Sequence, residues 1–347
     1  MRFKFARALA PALLPCLAAA TAQAQDAGEV NVYSYRQPYL IESLLMQFTD
    51  ETGIKVNVIF ADKGLIERIQ AEGRNSPADV LLTVDVGNLT QATSAGIAQP
   101  VSSPKLEAAI PPAYRAKDGQ WIGLTRRARV IYASKERVKQ DGITYEELAD
   151  PKWRGKICTR SGQHSYNVAL IASMIAHHGE QWTEEWLKGV KANLARKPAG
   201  NDRLQVKGVY AGECDIALGN TYYMGAMLTD EKAPEQKAWA ESVNILFPNT
   251  DDRGTHINIS GAVVTKHAPH KENAIKLLEF LASDKGQETY AEVNYEYPVK
   301  EGVPWSALVK SWGDFKPDPI SLDEIASLRK KASEIVDKAG FDDGPSS

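Results

Sequence analysis

The chain predicts an α/β fold in one large or two medium lobes, on three observations. Strand-like and helix-like segments alternate from Glu29 to Ala95, the rhythm of a parallel sheet with helices on its faces. A chain of 347 residues is long enough to bury cores of that size. Nothing in it reads as a flexible linker, an internal repeat or a low-complexity tract, so any two lobes are expected to share chain crossings rather than follow one another like beads.

The elements follow in order. Glu29–Tyr35 reads as a strand, and Arg36–Tyr39 as a turn. From Leu40 to Glu51 apolar residues recur at 40, 41, 44, 45 and 48, a helical stripe that Gly53 stops. Ile54–Phe60 alternates as a second strand, Lys63–Glu72 is an amphipathic helix ended by Gly73, Ala78–Val84 is a fully buried strand, and Asn88–Ala95 a third helix. Ligands of such sheets bind beyond the carboxyl ends of the strands, which makes Arg36–Tyr39 and Asp85–Asn88 candidate site loops. Pro100–Pro112 reads as loop. Trp121–Leu124 and Arg126–Ala133 read as a hairpin whose long second strand carries Arg127 and Arg129 on one face, by its period of two. Such arginines are either a solvated edge or a hand reaching an anion in a cleft.

Further on, Thr159–Asn167 opens a helix running to about His178. Its Ser161-Gly162 turn exposes backbone N–H groups at a positive dipole end, a natural seat for an anion. Helices follow at Thr183–Ala195 and Asp202–Ala211, then a short apolar strand at Gly212–Leu218. Val243–Phe247 and Asn258–Val264 are strand-like. Lys271–Ala282, Ser283–Tyr290 and Asp323–Lys338 are helical, and the last residues are expected to be disordered.

At the N-terminus, Arg2, Lys4 and Arg7 precede an apolar run through Ala20 and an Ala22-Gln23-Ala24 cleavage pattern, which reads as a secretory signal peptide over residues 1–25. Its removal takes the formal charge from −3 to −6, a balance that argues against nucleic acid or an anionic membrane as partner. No later run is long enough for a membrane helix. Cys16 offers a lipid-anchor alternative that Pro15 directly before it suits poorly, so it is expected to leave with the leader. Cys158 and Cys214 remain, either paired in an oxidising compartment or buried as free thiols.

Catalytic signatures such as G-x-S-x-G, a Gly-Lys phosphate loop or H-E-x-x-H are missing, and the six histidines show no i,i+4 pair suited to zinc. His177-His178 suits a helix C-terminus, and His164 is a lesser candidate for any cleft near Tyr166. The unusual feature is Tyr222-Tyr223, directly after a strand, where a bending backbone lets neighbours converge. Two converging phenols each need a partner when buried. They suit a hard, highly charged cation, which takes oxygen ligands and drives off phenolic protons. The bland alternative is a pair of half-buried interfacial tyrosines.

The block Tyr145, Leu148, Pro151, Trp153, Gly155, Lys156 resembles the second-lobe entry of bilobal extracellular solute-binding proteins of ABC importers. Tyr33-Ser34-Tyr35-Arg36, Asp79–Thr83, Arg127–Val130, Arg160-Ser161 with Tyr166-Asn167, and Asn220–Tyr223 together resemble the periplasmic ferric-ion-binding subgroup, over roughly residues 29 to 320. The resemblance implies a two-lobed periplasmic-binding-protein fold of type II, with the ligand cleft between lobes joined by a hinge. The first lobe would be 26–127 with about 256–305, the second about 128–255 with 306–340, and 341–347 a disordered tail. It implies a ferric ion held by Tyr166, Tyr222 and Tyr223 from the second lobe, in a monomeric, non-enzymatic periplasmic carrier that serves an inner-membrane ABC permease.

Some members add a first-lobe histidine just after Tyr-Ser-x-Arg. Here Gln37 and Pro38 stand there, so Tyr39 is the candidate first-lobe ligand. Otherwise a synergistic anion such as carbonate completes the coordination, with Arg127, Arg129, Ser161 and Arg36 as its candidate holders. Two rivals remain open: a carrier of a small anion or polyamine with aromatic cleft walls, and a periplasmic enzyme using Tyr166 with an arginine.

Overall fold

The structure is a computed structural model and describes residues 28–345; the expected signal peptide lies outside the described residues. Ten strands form the framework: β1 (Glu29–Ser34), β2 (Lys55–Phe60), β3 (Val80–Thr83), β4 (Ala98–Gln99), β5 (Ile122–Ser134), β6 (Ile157–Cys158), β7 (Ile216–Asn220), β8 (Val243–Leu246), β9 (Ile257–Thr265) and β10 (Tyr297–Pro298). Their spatial order is β2-β1-β3-β9-β5-β7-β6, with β4 on β9 and both β8 and β10 on β5.

The first three strands run parallel, joined by helices Glu42–Thr52 and Leu65–Glu72, as the alternation predicts. The whole assembly is mixed rather than parallel, because β5 and β9 run antiparallel to their neighbours. These two strands are the crossings. β5 pairs with β9 from Ile122 to Ala128 and with β7 from Arg129 to Ala133, so the ladder changes partner between Ala128 and Arg129. The expected hairpin at Trp121–Ala133 is therefore a single 13-residue strand with a register shift between Gly123 and Thr125. The Gly123–Thr125 step, where the two expected strands would have met, accommodates that irregularity instead.

One core cluster lies between β1–β3 and helices Glu42–Thr52 and Lys271–Leu281, built on Val30, Val32, Leu44, Phe48, Leu277 and Leu281. A smaller one lies under β7 and β8, with Val206, Val209, Met224 and Met227. Within it Cys158 and Cys214 form a disulfide, Cα atoms 5.8 Å apart, which settles the alternative the sequence left open. The long C-terminal helix Leu322–Lys338 packs mainly on helix Ser165–His178 and also touches helix Val86–Ser94. After it, the expected disordered tail is folded as far as Gly344: Phe341–Asp343 make a 3-10 turn, with Phe341 buried beneath Gly162. A polar run past a helix end looks unstructured in sequence. It is ordered by contacts distant in the chain, the packing of Phe341 and the hydrogen bonds that Asp342 accepts from Ser161 and Gly162. Among the described residues no helix is long and apolar enough to cross a membrane.

Candidate metal centre

Two helix starts bring the tyrosines together. β7 ends at Asn220, and helix Tyr222–Thr229 begins at once, so Tyr222 and Tyr223 occupy its first two positions with ring centroids 4.3 Å apart. Helix Ser165–His178 is capped by His164, whose Nδ1 accepts from the Tyr166 N–H at 3.2 Å, and Tyr166 follows in its first turn. The Tyr166 hydroxyl then stands 3.2 Å from that of Tyr222. Three phenols thus share one place. All three are half-buried.

Burial pushes the Tyr222 phenol well above its ordinary range, with Tyr166 and then Tyr223 adding to it. Tyr223 is raised for the same first reason, with Tyr166 and Asp202 next. These two phenols are neutral at neutral pH, and a cation can recruit them only by displacing their protons.

Around the Tyr166 ring stand three guanidiniums, Arg127 at 5.2 Å, Arg160 at 5.3 Å and Arg129 at 6.0 Å from its centroid. Arg127 and Arg129 share a face of β5, as their spacing requires. Beneath them lies Asp202, fully buried. It accepts from Arg129 Nη1 at 2.7 Å, from Arg160 Nη1 at 3.1 Å and from the Asn220 N–H at 2.9 Å. Although burial opposes its charge, Arg129 and then Arg160 hold the Asp202 carboxyl below the usual carboxylate range. The sequence reading missed Asp202 as anything but a helix start. The signal was there: position 202 falls on the buried stripe of its helix with Gln205, Val206 and Val209.

Three expected anion holders are otherwise engaged: Arg129, whose terminal nitrogens donate to Asp202, Asn220 and Asn167, and then Ser161 and Arg36. Ser161 donates to Asp342 Oδ2, and the Gly162 N–H donates to Asp342 Oδ1 at 2.7 Å, so the predicted anion seat is filled by the chain's own carboxylate. Arg36 donates to Glu296 Oε2 at 2.7 Å and to the Ser260 hydroxyl, all of them buried. Arg127 donates to the Val84 carbonyl and, at 3.4 Å, to Ser260, while its Nε has no partner. Tyr39 is 60 % exposed and lines, with Tyr222, Tyr223 and Tyr295, an open cleft of about 530 Å³. His177 and His178 sit in the last turn of their helix, against Asp318 and Glu146. Among the described residues no group of three His, Cys, Asp or Glu side chains is arranged to hold a metal ion, so the clustered phenols are the donor set available.

The chain belongs to the bacterial extracellular solute-binding proteins, whose family description matches residues 31–288. It is 50 % identical over 316 residues to Iron uptake protein A1 of Synechocystis sp., covering 90 % of this chain and 87 % of that protein. Its fold is similar to that of apo ferric ion-binding protein A of Pasteurella haemolytica, with TM-score 0.86, 54 % identity, and 90 % of this chain on 98 % of that one. A Trichodesmium protein solved with iron and citrate ligands is 46 % identical at TM-score 0.86, over 90 % of this chain and all of that one.

Proposed function

We propose that this chain is a periplasmic ferric-ion carrier that delivers its cargo to the inner-membrane permease of an ABC importer and catalyses nothing. The ion is held by the phenolates of Tyr166, Tyr222 and Tyr223, with Tyr39 approaching from the first lobe. The observation that carries this reading is the convergence of the three phenols on one lobe, in a chain half identical to an iron uptake protein. Three phenolates cancel a 3+ charge, so the closed site is neutral and can shed water at tolerable cost.

The guanidiniums of Arg127, Arg129 and Arg160 add positive charge beside that neutral unit, which favours a small anion such as carbonate as a co-ligand, with Arg127 its nearest holder. The same charges speak against a polyamine. The test is to load the purified protein with ferric citrate, dialyse it and measure bound metal, with spermidine and phosphate titrated separately. One ferric ion per chain supports the proposal. Tight binding of spermidine or phosphate without retained iron overturns it.

A further inference from the structure

Each lobe sends one large side chain onto a glycine of the other, and each of those glycines sits beside the tyrosine cluster. From the first lobe comes Tyr295, which ends helix Asp284–Asn294 in the left-handed region at φ 58°. The base of its ring packs against Gly225 in the helix that begins with Tyr222-Tyr223, where a Cβ would overlap its Cβ, Cγ and Cδ2, and its hydroxyl donates to Thr229 Oγ1 at 2.9 Å. A non-glycine residue is uncommon in that backbone region, and here it is what turns the ring across the cleft.

From the second-lobe side comes Arg329, on the C-terminal helix. Its guanidinium lies over Gly87 of helix Val86–Ser94, where a Cβ would again overlap it, and its Nη1 donates at 3.1 Å to the carbonyl of Ser165, next to Tyr166. Asp85, the buried N-cap of helix Val86–Ser94, is held below the usual carboxylate range against its burial, by Arg329 and then Arg127.

We propose that Tyr295 on Gly225 and Arg329 on Gly87 are two reciprocal latches that hold the lobes closed over the cargo and set its rate of release. The inference rests on the ferric reading for the identity of the cargo. The latches touch the helices that carry the tyrosines without contributing a ligand, so they act as positioning residues. Because Tyr166, Tyr222 and Tyr223 all belong to one lobe, loss of a latch leaves these three phenolates in place while closure, and with it the approach of Tyr39, fails.

Gly225→Ala and Gly87→Ala test this directly. Both glycines lie within helices at ordinary φ, where alanine favours the helix, so each variant folds. At Gly225 the methyl group meets the base of the Tyr295 ring and forces it away, and at Gly87 it displaces the flexible end of Arg329, the milder of the two perturbations. The protein is loaded with ferric ion, the phenolate–iron band is recorded, release to excess EDTA is timed, and the radius of gyration is measured with and without iron. The latches predict that the band of the three second-lobe phenolates is retained in both variants, with release faster by about tenfold or more, the scale of overpacking a tight contact, and an iron-loaded radius that stays at the apo value.

Tyr295→Ala in the Gly225→Ala background makes room for the methyl group and restores closure in part, a coupling that independent sites do not show. Wild-type release and wild-type compaction in both glycine variants would overturn the latches while leaving the carrier reading intact. A wild-type protein that takes up no ferric ion would fail the carrier reading instead; the glycine variants' radii, compared without ligand, would still report on the contacts.

Discussion

The two lobes handle their buried charges differently. In the second lobe Asp202 gathers Arg129, Arg160 and the end of β7 into one network, and that network lies directly under the tyrosines. In the first lobe Arg36 and Glu296 form a pair of their own with Ser260, and the candidate ligand Tyr39 is open to solvent. On the proposed function, the Asp202 side holds the charged ligand before closure and the Arg36 side covers it. Buried ion pairs stabilise little on balance, but removing one partner is costly because the other charge stays buried.

The difference breaks most visibly under charge removal. Asp202→Asn leaves the buried Arg129 and the partly buried Arg160 facing no carboxylate and is expected to cost about 3–5 kcal/mol in denaturant unfolding, and to weaken ferric binding as well, because Asn220 and the tyrosine helix lose their anchor. Glu296→Gln is expected to cost a comparable amount of stability yet leave ferric affinity nearly unchanged. If both substitutions weaken iron binding equally, the lobes are not specialised as described.

A smaller effect comes from His256, which is buried at the crossing in β9's approach. Burial first, then the nearby Arg129 and Arg127, lower its pKa to about 3. The unfolded chain takes up a proton near pH 6.5 and the folded one only near 3, so the unfolded state binds more protons across that window and stability falls as pH falls through it. The slope from this residue is at most about 1.4 kcal/mol per pH unit. His256→Gln should flatten the stability profile between those values, measured by urea unfolding at several pH values; an unchanged slope would place the titration elsewhere.

Smallest is Tyr39→Phe. An exposed phenol that joins the site only on closure is expected to contribute less than about tenfold in ferric affinity, within the range of a single hydrogen-bonded partner. A loss as large as that from Tyr222→Phe would make the first lobe an equal contributor.

Much of this was legible beforehand. The β1–β3 alternation and the helical stripes follow directly from the period of their apolar residues. Tyr222-Tyr223 stood out because two phenols follow an apolar strand and each hydroxyl needs a partner when buried. What stayed hidden depended on long-range partners. Nothing local distinguishes a hairpin from one strand crossing two lobes at Ala128. Asp342 meets Ser161 only because Phe341 packs under Gly162. Tyr295 and Arg329 become meaningful only against glycines that lie 70 and 242 positions away in the chain.

The central claim is that second-lobe phenolates bind the ferric ion, and a visible absorption spectrum tests it most directly. The account predicts a phenolate-to-iron charge-transfer band when ferric citrate is added. The band should bleach or shift in Tyr166→Phe and weaken as pH is lowered, since each phenol recruited must release a proton. A colourless protein at every ferric load, or a band unchanged by Tyr166→Phe, Tyr222→Phe and Tyr223→Phe alike, would contradict it.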